Sequence, residues 1–434
     1  MYPKIKKLLN GKNILILGLG KEGRSTLNFI KNHIDYKALT VADKNIVSDD
    51  IPSGVNCLFG EHYMDTLNTY DVIIKSPGIV YKNVDISVIN KTVSQTTLFL
   101  LEFAGATIGI TGTKGKSTTT TLIYHILKEN SVNAVLAGNI GIPPLDAIAS
   151  MSKSSVAVFE MSCHQLEFEK ISPHISVILN LYEDHLDHYG NRDKYIKAKE
   201  NIYLHQSEND YFIVNSSCTE QINKAVSKVL TVGTLPKADY YIAGAKINEE
   251  YTIPSGISLI GTHNHYNIAV AYAVCQLFGI KDKGFSSAVK TYNTLPHRLE
   301  LFATKNGVQY FDDSISTVPE TTIQAIKSIK NLKTVIIGGM DRGIDYTPLI
   351  DFFVESPTEN IILLPDTGHR IGEELKKNGI SFEFANNLEE AVSIASKVTT
   401  SGSACVLSPA AASYGFFRNF EERGNKFKEL VNKL

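Results

Sequence analysis

Short apolar runs alternate with helix-patterned stretches along almost the whole chain. Residues 13–17 form an apolar run that ends at Gly18, and a stretch with Leu27, Phe29 and Ile30 at helical spacing follows. Runs at 39–42 and 72–74 come next, and 106–110 precedes a stretch that puts Leu122, Ile123, Ile126 and Leu127 on one helix face. The middle of the chain offers strands at 156–159, 176–179 and 211–214. Between about 230 and 260 the pattern becomes irregular and rich in glycine and tyrosine, which predicts a small β insertion, and a helix is expected over 264–277. After Asn293-Thr294-Leu295-Pro296 the rhythm resumes, with strands at 308–311, 334–337, 361–364 and 404–407, and a helix carrying Ile323, Ile326 and Ile329 behind Pro319. Strands separated by helices throughout predict parallel α/β architecture. The chain has 434 residues, enough for three such domains.

Composition narrows the setting. The 43% hydrophobic and 20% charged residues are those of a globular protein, and a formal net charge of −2 gives no field that favours nucleic acid or an anionic membrane. The five cysteines, Cys57, Cys163, Cys218, Cys275 and Cys405, are scattered without a CxxC pair, so no zinc ribbon or disulfide framework is expected. They are expected to be buried as small apolar side chains in a reducing compartment. The longest apolar run near the N-terminus, 14–17, is too short for a signal peptide, no run approaches membrane-spanning length, and a cytoplasmic protein is expected.

The strongest chemical signal is Thr111-Gly112-Thr113-Lys114-Gly115-Lys116-Ser117-Thr118, between a strand and a helix. A glycine-rich turn there lets successive backbone N–H groups face one anion. Lys116 then reaches the outer phosphates, and the Ser117 or Thr118 hydroxyl ligates Mg²⁺. The position five before Gly115 is Ile110, so the strict Walker spacing is not kept, and a turn capped by threonines is the plain alternative. A second glycine turn, Gly18-x-Gly20-x-x-Gly23, follows the first strand, with Asp43 at the end of the next. That spacing fits a dinucleotide and leaves a nicotinamide dehydrogenase open, but the same geometry holds any diphosphate. Polar clusters at strand ends follow: Glu160 to Gln165, and Glu183 to His188. Carboxylates there are placed for Mg²⁺, or are solvated loop charges; a zinc site at His185 and His188 lacks cysteine partners. Lys199 reads by composition as a solvated helix lysine, and Arg298 with Asp313 as surface ion-pair partners or as groups closing over a nucleotide.

The order of these motifs resembles the Mur ligase family of peptidoglycan synthesis. The likeness runs through the Gly18 turn, Ser76-Pro77-Gly78, the Lys116 loop, Gly138-Asn139-Ile140-Gly141, Glu160 with Ser162 and Gln165, Glu183-Asp184-His185, and Lys199. It continues through Gly261-Thr262-His263-Asn264 with Asn267, Leu295-Pro296-His297-Arg298, Asp313-Ser314, Leu407-Ser408-Pro409 and Asn419-Phe420-Glu421-x-Arg423-Gly424. The resemblance implies a Rossmann-like N-terminal domain over 1–97, a central P-loop ATPase domain with a mainly parallel sheet over 98–295, and a Rossmann-like C-terminal domain over 296–434. It implies ATP-dependent addition of glutamate, D- ahead of L-, to UDP-N-acetylmuramoyl-L-alanine through an acyl phosphate. Gly18, Gly20, Gly23, Asp43, Ser76, Pro77, Gly78, Asn139 and His185 would bind the UDP substrate. Gly112 to Thr118, Asn264, Asn267, Arg298 and Asp313 would bind ATP. Two Mg²⁺ would be held by Ser117, Glu160, His185 and a carbamylated Lys199, and Lys116, His185 and Lys199 would be catalytic. A monomer that binds neither nucleic acid nor membrane is expected. Folylpolyglutamate synthetase shares the central plan but lacks the diphosphate-binding first domain, and a nucleotide-binding regulator would bind ATP without acceptor-stimulated phosphate release.

The likeness frays where the amino acid would bind. Thr317, Ser413 and Phe420 match the family's glutamate pocket, and Arg342 stands where a lysine often reaches the carboxylate. Ile315 and Val318 replace a lysine and an asparagine, and Gly415 replaces an acid. An arginine fork demands a different carboxylate orientation from a lysine point charge.

Overall fold

The computed structural model describes residues 1–45, 51–81 and 84–434, and carries three sheets. The first is built from β1 (Asn13–Leu17), β2 (Ala38–Asp43), β3 (Asn56–Phe59), β4 (Val72–Lys75) and β5 (Thr92–Val93) in the order β3-β2-β1-β4-β5. All its ladders are parallel. The second holds β6 (Ala106–Thr111), β7 (Ala134–Gly138), β8 (Val156–Glu160), β9 (Ile175–Ile178), β10 (Tyr211–Asn215), β11 (Lys228–Gly233), β12 (Tyr240–Ala243), β13 (Lys246–Ile247) and β14 (Tyr251–Thr252). Its order is β14-β13-β12-β11-β10-β9-β6-β8-β7, and only the β12–β13–β14 end is antiparallel, which is the predicted insertion. The third comprises β15 (Glu300–Lys305), β16 (Val308–Asp312), β17 (Leu332–Gly338), β18 (Asn360–Leu364), β19 (Glu383–Phe384) and β20 (Ala404–Leu407) in the order β15-β16-β20-β17-β18-β19. It is parallel except for the β15–β16 hairpin. The chain is thus a three-domain α/β protein.

Two compact units carry these sheets. The first, Met1–Ile253 with Tyr266–Val289, contains the first two sheets, and the second, Pro254–His265 with Lys290–Leu434, contains the third. The inner strands read as continuous apolar runs because helices cover both sheet faces: Ile14, Ile16 and Ile74 face one cluster, and Leu15, Leu17 and Ile73 another. In the second unit Val335, Ile337 and Leu363 face one core while Ile336, Ile362 and Leu364 face the other. No helix among the described residues is long and apolar enough to cross a membrane. Four of the five cysteines are buried as expected, but Cys57 is exposed, because it lies on the edge strand β3, whose first two residues face solvent.

Candidate active site

The glycine loop is held open as a cradle by residues outside it. Gly115 caps the helix Lys116–Glu129 at φ 87°, and a Cβ there would come within 2.8 Å of Asn267 Oδ1. Asn180, just past β9, accepts from the Thr113 and Lys114 amides through Oδ1 at 3.0 and 2.9 Å, and its own amide donates to the Lys114 carbonyl at 3.0 Å. Thr113 Oγ1 lies 3.0 Å from the Tyr195 hydroxyl, and Lys114 Nζ stands 3.6 Å from Asp184. Thr119 Oγ1 donates to Asn267 Oδ1 at 3.2 Å, so Asn267 braces the first turn of the helix that Lys116, Ser117 and Thr118 open. Neither Asn180 nor Tyr195 stands out in the sequence.

Two lysines converge on that cradle. Lys116 Nζ donates to the Gly112 and Thr113 carbonyls, each at 3.0 Å. Lys199, far from being a solvated helix lysine, is 1% exposed. It donates to the same Gly112 carbonyl at 2.9 Å and lies over the Tyr195 ring at 4.8 Å. Burial depresses the pKa of both amines; for Lys199 burial and then the neighbouring Lys116 charge bring it down to about 7. The carboxylate comes from the next strand. Ile110 pairs with Glu160 across the β6–β8 ladder, which puts the Glu160 side chain, 2% exposed, at the same sheet end as the loop. Asn139 Nδ2 donates to Glu160 Oε1 at 2.7 Å, while Glu160 Oε2 is buried without a hydrogen-bond partner. A buried, unsatisfied carboxylate oxygen facing a phosphate loop fits a hard cation that the protein itself does not supply.

The histidines gather beside this centre. His185 adopts φ 53° and stands edge-on to His164 at 5.1 Å between ring centroids, and His164 meets His188 at 4.5 Å. His185 precedes the short helix Leu186–Tyr189, in which His188 pairs with Glu167 at 3.4 Å. The three-residue acid–histidine grouping that does appear among the described residues, His297 with Glu300 and Asp312, is in the second unit. Lys428 and hydrogen bonds already satisfy it.

The N-terminal glycine turn is equally specific. A Cβ on Gly23 would run into the Gly18 carbonyl oxygen, so only glycine lets this helix approach the turn. Gly20 caps the helix Lys21–His33, and Ser76 Oγ donates to the Gly18 carbonyl at 3.0 Å, joining Ser76-Pro77-Gly78 to the turn. Asp43 accepts from the Leu19 amide at 2.7 Å and the Asn45 amide at 2.9 Å, shaping the same turn. Gln165, held in a capping box with Ser162, donates to Glu22 at 3.0 Å and so links this turn's helix to the segment following Glu160.

The second unit brings its own residues together. Asp313 is buried, accepts from Ser408 Oγ at 2.7 Å and the Leu299 amide at 3.1 Å, and burial raises its pKa to about 6. Arg298 Nε is buried without a partner, and Asn264 donates to the Ile260 carbonyl at 2.7 Å. Arg342 donates to the Thr317 carbonyl at 3.1 Å. Ser314 Oγ donates to the Phe420 carbonyl at 2.8 Å, and Ser413 is 4% exposed.

Comparison with known proteins follows the same outline. The Mur ligase middle domain family matches residues 110–275, and the Mur ligase MurD-like, N-terminal domain family matches residues 12–96. The chain is 32% identical over 455 residues to the UDP-N-acetylmuramoylalanine–D-glutamate ligase of Ligilactobacillus salivarius, covering 99% of this chain and 98% of that one. The ligase of the same name from Clostridium tetani is 32% identical over 460 residues, covering 100% and 99%. Among solved structures, MurF ligase from Thermotoga maritima in complex with ADP superposes with a TM-score of 0.62 at 18% identity, over 99% of this chain and 96% of that one.

Proposed function

The chain belongs to the Mur ligase family, and from that premise we infer that it is an ATP-dependent ligase adding D-glutamate to UDP-N-acetylmuramoyl-L-alanine in peptidoglycan precursor synthesis. One observation carries the chemistry: Lys116, Lys199 and the unpartnered oxygen of Glu160 meet at one end of β6 and β8. Such a centre suits phosphoryl transfer to a carboxylate, in which the substrate carboxylate oxygen attacks the γ-phosphorus and ADP leaves. The amino group of glutamate then attacks the acyl carbon, phosphate departs, and an amide remains.

Lys116 exchanges its two loop carbonyls for phosphate oxygens and counters the charge that gathers on the transferring group. The loop amides past Gly112 hold the phosphates, and Asn267 fixes the helix that orients them. Glu160, Ser117, His185 and Lys199 form the donor set for two Mg²⁺, which when bound supply Lewis acidity and alignment. Lys199 joins that set as a carbamate: an amine whose pKa lies near 7 is substantially neutral at physiological pH and free to take up carbon dioxide. Asn139 is exposed and faces the acceptor while its amide keeps Glu160 oriented. Gly18, Gly20, Gly23, Asp43 and Ser76 to Gly78 bind the uridine diphosphate. Asn264, Arg298 and Asp313 serve the nucleotide, and Thr317, Arg342, Ser413 and Phe420 the incoming glutamate. Domain boundaries near 97 and 295 and a cytoplasmic monomer complete the proposal.

The test is phosphate release by the purified protein with Mg²⁺, ATP and UDP-N-acetylmuramoyl-L-alanine, run with D- and L-glutamate separately. Release with D-glutamate alone is expected. Release with L-glutamate alone would keep the mechanism and overturn the stereochemistry, and silence with both would overturn the acceptor or the amino acid.

A further inference from the structure

The second unit contains a cavity of about 170 Å³, and of its lining residues only Ser413 has a role assigned above. It lies beyond the carboxyl ends of β17 and β18, bordered by Gly338, Gly339 and Leu364, with Ser413 from the segment after β20. In the third sheet β17 sits between β20 and β18, and the chain runs outward through β18 and β19 before crossing back to β20. Strand order therefore reverses at β17, and open α/β sheets bind ligands in the crevice at such a reversal. Of the four residues placed in the glutamate pocket, only Ser413 lines this cavity, so it is a neighbouring space.

Its walls are of two kinds. Leu364, Leu388, Phe416 and Phe417 make most of the lining apolar. Against them stands Arg423, a guanidinium only 1% exposed. Its three nitrogens donate to Ser314 Oγ at 3.0 Å, the Ala411 carbonyl at 3.1 Å and the Ser314 carbonyl at 2.8 Å. A guanidinium carries five N–H donors, so these bonds leave two over. Among the described residues no carboxylate lies within ion-pair distance of it. Asp312, the acid whose charge it feels, is engaged with His297 and Lys428. Gly339 makes room for the group, since a Cβ there would come within 3.1 Å of Arg423 Nη1. A buried cation with spare donors and no carboxylate within ion-pair distance, in a hollow whose lining is mainly apolar with Asn386, Asn387 and Ser413 as its other polar residues, is complementary to a small anion with a hydrocarbon tail.

We propose that this cavity binds a short apolar monocarboxylate, its carboxylate on Arg423 and its tail against Leu364, Leu388 and Phe416. A dry cavity of about 150 Å³ accepts benzene, so the fitting ligand has roughly six to nine heavy atoms. Arg423 also holds Ser314, which in turn holds the Phe420 carbonyl of the proposed glutamate pocket. Occupancy consequently bears on the amino-acid step, and that consequence, unlike the binding itself, rests on the proposed function.

The test uses 4-methylpentanoate as the probe on the full-length protein, without ATP or acceptor, followed by saturation-transfer NMR and thermal denaturation. Saturation transfer and a raised melting temperature are expected, with affinity at least roughly tenfold above that of the isosteric neutral 4-methylpentanamide. Asn386, exposed at the cavity rim, allows a plug that spares the core: Asn386→Trp should abolish transfer while melting as the parent does. Equal affinity for acid and amide, transfer that survives in Asn386→Trp, or no binding at about 10 mM probe would each overturn the proposal. None of these readings depends on ligase activity, so failure here is separable from failure of the functional assignment.

Discussion

The phosphate-loop centre of the first unit and the strand-end cavity of the second both bury cations at the carboxyl ends of parallel strands, but they balance them differently. In the first, Lys116 and Lys199 share a backbone carbonyl, and a carboxylate with an unsatisfied oxygen stands on the adjoining strand. Both signs are present and neither is fully compensated, an arrangement that suits polyanions bound with metal cations. In the second, Arg423 is held by carbonyls and a hydroxyl within a mainly apolar lining, an arrangement that suits a single negative group. The difference teaches that the sign and number of uncompensated buried charges indicate a ligand's chemistry more directly than the fold, which is parallel α/β in both places.

The largest effect should come from removing the first centre's leading cation. Lys116→Ala is expected to lower phosphate release by about 10³-fold or more with the fold retained, as judged by circular dichroism; near-wild-type turnover would dismiss the loop's role. Lys199→Ala should lose about 10²-fold, with part of the rate restored by acetate standing in for the carbamate oxygens. If acetate and bicarbonate change nothing in variant and parent, Lys199 acts as a plain cation, and the contrast with Arg423 narrows. In the second unit, Arg342→Ala should raise KM for glutamate about tenfold and leave KM for ATP unchanged. A matching rise for both substrates would mean that Arg342 supports the unit's structure instead.

The smallest effect concerns the scaffold beneath the first centre. Glu169 is 2% exposed, accepts from Ser94 and Thr97, and is pushed by burial to a pKa of about 7. A carboxyl whose folded pKa lies above its unfolded one stabilises the fold at low pH, and that contribution is lost as pH rises through the folded value. Glu169→Gln should therefore gain stability relative to the parent between about pH 5 and about pH 8, read from denaturation midpoints. A gap of the same size at both pH values would show that Glu169 titrates normally.

What the sequence disclosed follows from how locally each feature is encoded. Lys116 and its loop are contiguous, and the strand before and helix after them carry strong periodicity, so position and chemistry are both legible. The strands at 308–311 and 404–407 emerge as Val308–Asp312 and Ala404–Leu407: the second is apolar and buried throughout, and the first keeps Val308, Tyr310 and Phe311 buried around the exposed Gln309. β7 (Ala134–Gly138) leaves no clear apolar run in the sequence, since its small residues Ala134, Ala137 and Gly138 weaken the pattern. The burial of Lys199 was invisible to composition because it depends on Thr111 and Gly112, nearly ninety positions away. Asn180 is a single amide among loop residues, and only the fold reveals that it closes the cradle. Arg423 was legible as part of a motif, whereas its lack of a carboxylate within ion-pair distance among the described residues required every neighbour to be placed.

The ladder that pairs Ile110 with Glu160 and Thr111 with Ile178 works as a gauge. The loop, the carboxylate and the segment leading to Asn180 are all set against β6, rung by rung, at about 3.3 Å per residue. Lengthening β6 by one residue would displace the cradle from both partners together and turn each side chain to the opposite face. An inserted residue should therefore be tolerated best in connections that no rung of β6 measures, such as the turns of the antiparallel end near Gly244 and Glu249.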